Sequence, residues 1–421
     1  MPTLPAARRP PSSTAPGPPL ASCAKAARPR PTFGLSFAPS PVQSDGLATP
    51  VGKLRGCRPT GDARTPPARY TGTFTIARPP SRRCFVEAAD TVNRIEIAYP
   101  SRDDESLVHA FVWEPPAGLS GAPKGVVQLV HGMAEHAARY DDFARYLALC
   151  GYVVGAADHI GHGRSVASPE QLGVMPTDGK EILIEDVHEL RLILRKRWQN
   201  APAYVIFGHS MGSFVVRAYL ARHGQGVDAA VVCGTGNQPL AASKAGRALA
   251  RLLAAVRGRD FRSTFIDSIG AGAFAKAIEG ARTPYDWLST DPAVVDAFLA
   301  DELSGQMFSV GAYATLTDLT GEIVTKKSAS RIPKDLPVLF IAGAQDPVGE
   351  CGRGVLAAAD LFRACGVADV EVTLYEGMRH EILNEPDHER VYRDVTAWLE
   401  SRLVPQASQA PSDSKRTLRG N

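Results

Sequence analysis

The stretch Ala203-Tyr204-Val205-Ile206-Phe207, followed by Gly208-His209-Ser210-Met211-Gly212, restricts the possible folds of this chain more than any other. Its apolar run, rich in β-branched and aromatic residues, predicts a buried strand, and Ser213 to His223 predicts a helix. Between them a Gly-x-Ser-x-Gly turn must reverse the chain within a few residues. Glycines on both flanks let strand and helix approach closely. They also permit Ser210 a strained backbone that pushes its hydroxyl outward. The helix N-terminus behind it offers unpaired N–H groups to a developing oxyanion. In a chain with 38 Gly the pentapeptide alone is weak evidence. The strand before it, the helix after it and the partners downstream make Ser210 the candidate nucleophile.

The flanking sequence repeats the strand–helix rhythm. Val92 to Ala98 and Leu107 to Trp113 alternate apolar and polar residues, which predicts an antiparallel edge pair. Gly125 to Val130 is nearly all apolar, as a strand buried on both faces requires. Helical spacing at Tyr140 to Cys150, a strand at Gly151 to Gly155 and an amphipathic helix at Glu181 to Trp198 lead up to the Ser210 strand. Strands at Asp228–Cys233, Leu336–Ala342 and Val370–Tyr375 follow it, with helices at Val355–Ala364 and Asp387–Leu403. This alternation predicts an α/β fold with a mostly parallel eight-stranded sheet flanked by helices. The rhythm breaks from Asn237 to about Thr325, where Ala/Leu-rich helical stretches replace strands. An insert there, after the sixth strand, would cover the carboxyl ends of the strands, where open α/β sheets bind ligands.

A serine nucleophile needs a base and an acid that orients the base. Asp346 follows the Leu336–Ala342 strand within Gly343-Ala344-Gln345-Asp346-Pro347. His380 follows the Val370–Tyr375 strand within Gly377-Met378-Arg379-His380-Glu381. Both therefore emerge at the sheet edge that carries Ser210, in the chain order Ser, Asp, His. Asp335 and Glu376 are the fallback acids. The oxyanion hole is expected from two backbone N–H groups, those of Met211 and Met133, the latter in the loop His131-Gly132-Met133-Ala134.

These blocks carry a resemblance. His131 to His136 with Arg139-Tyr140, Asp158 to Ser165, Gly208 to Gly212, Gly343 to Pro347 and Gly377 to Asn384 together resemble the α/β-hydrolase family of monoacylglycerol lipases and lysophospholipases, the serine aminopeptidase-like group. The resemblance covers about residues 90–402. It implies the same triad and donors, and a helical cap that forms an acyl-binding tunnel. Ala134 departs from it, since many members have Gly there. The resemblance places Asp158, His162, Arg164 and Ser165 in a loop beside the active site. We expect them to form a polar network supporting the nucleophile turn, and Glu135 and His136 to shape the oxyanion loop rather than touch a glycerol headgroup.

The expected activity is a serine hydrolase that cleaves carboxylic esters through an acyl-enzyme, with monoacylglycerols or lysophospholipids as substrates. An aminopeptidase of the proline-iminopeptidase type is the alternative within enzymes. It would need acidic groups in the cap to hold an ammonium, and Asp286, Asp291, Asp296, Asp301 and Glu302 are available. A non-catalytic lipid-binding protein on the same fold is the alternative outside enzymes.

Charge separates the ends of the chain. Residues 1–85 hold 13 Lys+Arg against 2 Asp+Glu, so of the net charge of +3 the remainder contributes −8. That balance argues against nucleic-acid binding. The Pro/Arg-rich segment 1–85 reads as disordered, as does the tail 405–421, which leaves core halves at 86–235 and 326–404 around a cap at 236–325. Arg-rich, acid-poor composition also resembles an organellar transit peptide. Leu20-Ala21-Ser22-Cys23 resembles a lipobox, but the Pro/Ser-rich residues before it cannot form a signal h-region. An over-extended start is a further reading of the same segment, against which stands the absence of Met between Met1 and Met133. Seven scattered cysteines, without C-x-x-C or zinc spacing, fit a reducing cytoplasm without a disulfide framework. No cofactor, metal or spanning helix is expected. Peripheral membrane contact and oligomeric state are left open.

Overall fold

The computed structural model describes residues 91–119 and 121–403, so the expected disorder of 1–85 and 405–421 and the start of the core at Val86 lie outside the described residues. Strands β1 (Asn93–Pro100) and β2 (Leu107–Glu114) precede β3 (Gly125–Val130), α1 (Asp141–Leu149) and β4 (Tyr152–Ala157). Next come α2 (Gly179–Arg197), β5 (Tyr204–His209), α3 (Met211–His223) and β6 (Ala229–Cys233). Five helices follow in the insert: α4 (Leu240–Arg257), α5 (Thr264–Ile269), α6 (Gly272–Ala275), α7 (Pro292–Ala300) and α8 (Val310–Ile323). After the short α9 (Lys326–Ala329), the chain closes with β7 (Val338–Gly343), α10 (Arg353–Ala364), β8 (Val370–Tyr375) and α11 (His388–Leu403).

All eight expected strands form one sheet in the order β1-β2-β4-β3-β5-β6-β7-β8. β1 and β2 pair antiparallel, β2 pairs antiparallel with β4, and the remaining neighbours are parallel. The mostly apolar strands β3, β5, β6 and β7 are buried throughout because helices cover both faces, whereas β1 at the edge is mostly exposed. Strand alternation divides the core. Val126 and Val130 point to the face packed by α2, α3 and α10, and Val127 and Leu129 to the face packed by α1 and α11. Chain order reverses between β3 and β5. That is the switch point at which the loops after the two strands diverge and leave a crevice. The loop holding Gly132 and the turn holding Ser210 are those two connections.

The insert after β6 is helical, with sequence cues at its helix starts. Asp291 caps α7 through the Ala293 N–H at 2.8 Å with Pro292 at the first helical position, and Ser309 caps α8 through the Ala312 N–H at 3.1 Å. α4 packs along α8, and Ser243 meets Thr320 there at 3.0 Å. Among the described residues no helix is long and apolar enough to cross a membrane. Cys150, Cys233 and Cys365 carry free thiols. Cys351 is disulfide-bonded, which corrects the expectation of no disulfide; no C-x-x-C or similar local spacing marks it in the sequence.

Candidate active site

Ser210 has φ 54° and ψ −123°, a left-handed backbone that costs a non-glycine residue about 1–3 kcal/mol. Its neighbours hold it there. The Ser210 N–H donates to the Cys233 carbonyl at 3.0 Å, and the Ser210 carbonyl accepts the Ser213 hydroxyl at 2.6 Å. The flanking glycines are required by close approach. A Cβ on Gly208 would lie 2.4 Å from the Gly212 carbonyl oxygen, and one on Gly212 would lie 2.0 Å from the Val130 carbonyl oxygen. Both obstacles are backbone and cannot yield, so alanine at either position would force β5, β3 and α3 apart.

Asp346 and His380 meet. The Nδ1–H of His380 donates to Asp346 Oδ2 at 2.8 Å, and Asp346 Oδ1 accepts the Val348 N–H at 2.9 Å. Asp346 is 0% exposed and His380 1%. The fallback acids Asp335 and Glu376 are exposed. Because Nδ1 donates, Nε2 carries the lone pair, and among the described residues it has no hydrogen-bond partner. The Ser210 hydroxyl is therefore not hydrogen-bonded to it in this structure. The two residues nonetheless share a wall. Ser210 is tied to Cys233, and a Cβ on the adjacent Gly234, at φ 59°, would lie 3.1 Å from His380 Cε1.

The loop after β3 closes the third side. A Cβ on Gly132 would lie 2.9 Å from Ser210 Cβ, so this loop packs directly on the serine, and Met133 is the next residue. Met211 is the first residue of α3, where N–H groups have no partner within the helix. Ala134, where the resemblance has Gly, takes φ 52°, a conformation glycine adopts without strain.

Glu135 organises the underside of this loop. Its Oε1 accepts the Gly132 N–H at 2.6 Å and the Tyr140 hydroxyl at 2.9 Å, and faces His209 Nδ1 at 3.3 Å. Arg139 donates to Glu135 Oε2 at 3.0 Å and makes a bidentate pair with Glu381 at 2.7 and 2.8 Å. Burial opposes ionisation of Glu135, but His209 and Arg139 outweigh it and hold the carboxyl well below its usual range. Burial likewise opposes the His209 imidazolium, yet the Glu135 carboxylate raises its pKa. His136, expected with Glu135 to shape this loop, instead reaches Asp301 of the insert at 2.7 Å.

The Asp158 network forms, but it supports a different element from the one expected. Asp158 accepts the Ala137 N–H at 2.7 Å and the Arg164 N–H at 2.8 Å, and Ser165 bridges the Asp158 carbonyl to the His109 N–H. These bonds brace the segment after the oxyanion loop and β2, not the Ser210 turn. Below them His131, His159 and His162 are buried against one another. Burial pushes all three down, aided at His131 by His159 and His162, at His159 by His162 and at His162 by His136, and it takes His159 to about 3, so they are neutral rings and not competing bases. Among the described residues no group of three or more His, Cys, Asp or Glu could hold a metal ion.

Four of the five candidate acids of the insert are committed elsewhere, and Glu302 is exposed. Asp286 accepts from Thr283 and the Arg282 N–H, Asp291 caps α7, Asp296 pairs with Arg282 at 2.7 Å and Asp301 with His136. Sequence reasoning missed the Arg139–Glu381 pair, 242 positions apart, and the role of Glu385, a buried acid that meets Thr290 95 positions away. The charged Arg379 and Glu381 on either side of His380 are the one local signal near either.

Residues 121–387 match the family model described as Serine aminopeptidase, S33. The monoacylglycerol lipase of Mycolicibacterium smegmatis is 31% identical over 69% of this chain and 92% of its own length. The monoglyceride lipase of Mus musculus is 24% identical over 71% and 88%. Among solved structures, a highly thermostable carboxyl esterase from Bacillus coagulans in complex with glycerol aligns with a TM-score of 0.68, at 30% identity, over 74% of this chain and 99% of that one.

Proposed function

Because this chain belongs to the Serine aminopeptidase, S33 family, we propose that Ser210, His380 and Asp346 hydrolyse single-chain carboxylic esters, monoacylglycerols or lysophospholipids, through an acyl-enzyme. The observation that carries the reading is the His380 ring. Its Nδ1 is held by a buried carboxylate and its buried Nε2 is free, beside a serine in a strained turn. In the first step Ser210 Oγ bonds to the ester carbonyl carbon as its proton passes to His380 Nε2. The N–H groups of Met133 and Met211 receive the oxyanion. The C–O bond to the alcohol breaks, and His380 returns the proton to the leaving oxygen. Water then repeats the sequence and releases the fatty acid. Asp346 keeps the proton on Nδ1 and stabilises the imidazolium without itself becoming protonated.

We take residues 236–325 as the cap over the acyl chain. Exposed Leu252, Val256, Phe265 and Ile269 on α4 and α5 support contact of that cap with a lipid surface from which such a substrate could be drawn. With Asp286, Asp291, Asp296 and Asp301 committed, Glu302 alone is left to hold an ammonium, which counts against the aminopeptidase alternative. A cytoplasmic location is part of the same proposal, on the free thiols of Cys150, Cys233 and Cys365; the disulfide at Cys351 is the observation against it.

Ser210→Ala should lower kcat on p-nitrophenyl esters by about 10⁵–10⁶ and abolish labelling by a fluorophosphonate. Retained labelling would remove Ser210 from the mechanism. A long-chain monoacylglycerol should be cleaved and a proline arylamide left intact.

A further inference from the structure

The loop that carries His380 is fastened to one short segment of the insert, Asp286 to Thr290, from both directions. The His380 loop donates to that segment's carbonyls in order. Arg379 Nη1 reaches Asp286 O at 2.5 Å and Ser289 O at 3.0 Å, the His380 N–H reaches Trp287 O at 3.4 Å, and the Glu381 N–H reaches Leu288 O at 2.7 Å. The return ties converge on Glu385, which is 1% exposed. Its carboxylate accepts the Thr290 N–H at 3.0 Å, the Ser289 hydroxyl at 3.1 Å, the Thr290 hydroxyl, and the Arg379 N–H at 2.7 Å.

Each of those donors is uncharged. A carboxylate taken out of water is costly unless hydrogen bonds replace its hydration, and here four donors from two separate segments do so. The donors cannot leave without exposing that cost, so the two segments are held together as one piece. The piece ends on the base. Trp287 packs its indole on the His380 ring, centroids 5.0 Å apart, on a ring otherwise braced by Asp346 and by His209 at 4.7 Å.

We propose that Glu385 is a positioning residue, which locks the Asp286–Thr290 segment of the cap to the His380 loop and so aims the imidazole at Ser210. The proposal rests on the reading of His380 as the general base. Proton transfer tolerates little displacement, since a misplacement of about 1 Å can cost about 10²-fold in rate. A cap segment that reaches the base through main-chain bonds therefore affects the chemical step as well as the shape of the acyl site.

The test separates those two effects in the full chain. In Glu385→Gln one oxygen becomes an amide facing the same N–H donors. Turnover is measured on p-nitrophenyl acetate, too short to need the cap, and on a long-chain monoacylglycerol. We expect kcat to fall about 10–100-fold on both, with KM changed less than about threefold, as for loss of a supporting hydrogen bond. Thr290→Val, which removes one hydroxyl donor and keeps the backbone one, should lower kcat on both by about 3–10-fold, as for loss of one hydrogen bond. A loss confined to KM for the long-chain ester would overturn the proposal, because the clamp would then serve only to cover the chain. So would an unchanged kcat in a variant that melts like the parent. If Glu385→Gln does not fold, Thr290→Val and Ser289→Ala decide the matter on the same criteria. His380→Ala is run alongside: full activity there rejects the base, whereas a dead His380→Ala beside a normal Glu385→Gln rejects only the clamp.

Discussion

Two buried histidines lie side by side at the carboxyl edge of the sheet, His380 and His209, with ring centroids 4.7 Å apart. Each faces a buried carboxylate, Asp346 for one and Glu135 for the other. They differ in what the second nitrogen does. His209 faces Tyr140 and Glu135 through Nδ1, and its Nε2 lies 3.2 Å from the His380 carbonyl oxygen, so both nitrogens are used. Its raised pKa fits a ring that donates twice, as an imidazolium paired with Glu135. His380 uses one nitrogen and keeps the other free. The difference lies in connectivity rather than residue type. A histidine with both nitrogens committed is a strut, and one with a single committed nitrogen can move a proton. The strut also has a load, because it joins the oxyanion loop, through Glu135 and Gly132, to the main chain of the base itself.

The comparison breaks if the two carboxylates are interchangeable. Asp346→Asn keeps the shape but lets the amide favour the wrong His380 tautomer, and kcat should fall by about 10⁴. Steady-state turnover of p-nitrophenyl acetate measures it, and a loss under tenfold would remove Asp346 from the proton path. Glu135→Gln should cost less, about 10–100-fold in kcat, because it acts through the position of Gly132 and the His380 carbonyl. A loss as deep as that of Asp346→Asn would erase the distinction between the pairs.

The Glu135 pair should show itself more in stability. Removing one partner of a buried charged pair costs about 3–5 kcal/mol. The sign with pH follows from the two shifts. The Glu135 pKa is depressed in the folded state, so its contribution is present above the ordinary value of 4.5 and is lost as pH falls through the folded one. The His209 pKa is raised, so its contribution is complete below the ordinary value of 6.5 and is lost as pH rises through the folded one. Both are in force between pH 4.5 and 6.5. The stability gap between the parent and Glu135→Gln, measured by urea unfolding, should be largest in that window and narrower in mildly alkaline buffer. A gap that widens towards alkaline pH would mean His209 is not the cation of this pair.

Much of this was legible in the chain because it is local. The apolar run Tyr204–Phe207, the glycines at Gly208 and Gly212, and polar residues just after β7 and β8 declare themselves within a few positions. The sheet then turns those positions into a shared rim, since parallel strands present their carboxyl ends together. What could not be read are the pairings between residues far apart. Arg139 meets Glu381, and Glu385 meets Thr290, only because the β3 loop, the β8 loop and the insert converge. The Asp158 network was foreseen and its target was not. Its acceptors are local, but whether they brace Ala137 or the serine turn depends on the packing of β4 beside β3.

The smallest effect is the sharpest test of how the strut works. If Glu135 acts on the oxyanion loop, it does so through the Gly132 main chain, and the donor proposed at Met133 is likewise main chain. Met133 is only partly buried, packed on the core from its edge, so its side chain has little else to hold in place. Met133→Ala keeps the N–H and removes only side-chain atoms. It should change kcat on p-nitrophenyl acetate by less than about threefold, against about 10–100-fold for Glu135→Gln one turn of the loop away. A Met133→Ala loss that matched Glu135→Gln would show that the loop is held by side-chain packing. The Glu135–His209 pair would then stand beside the site without setting its geometry.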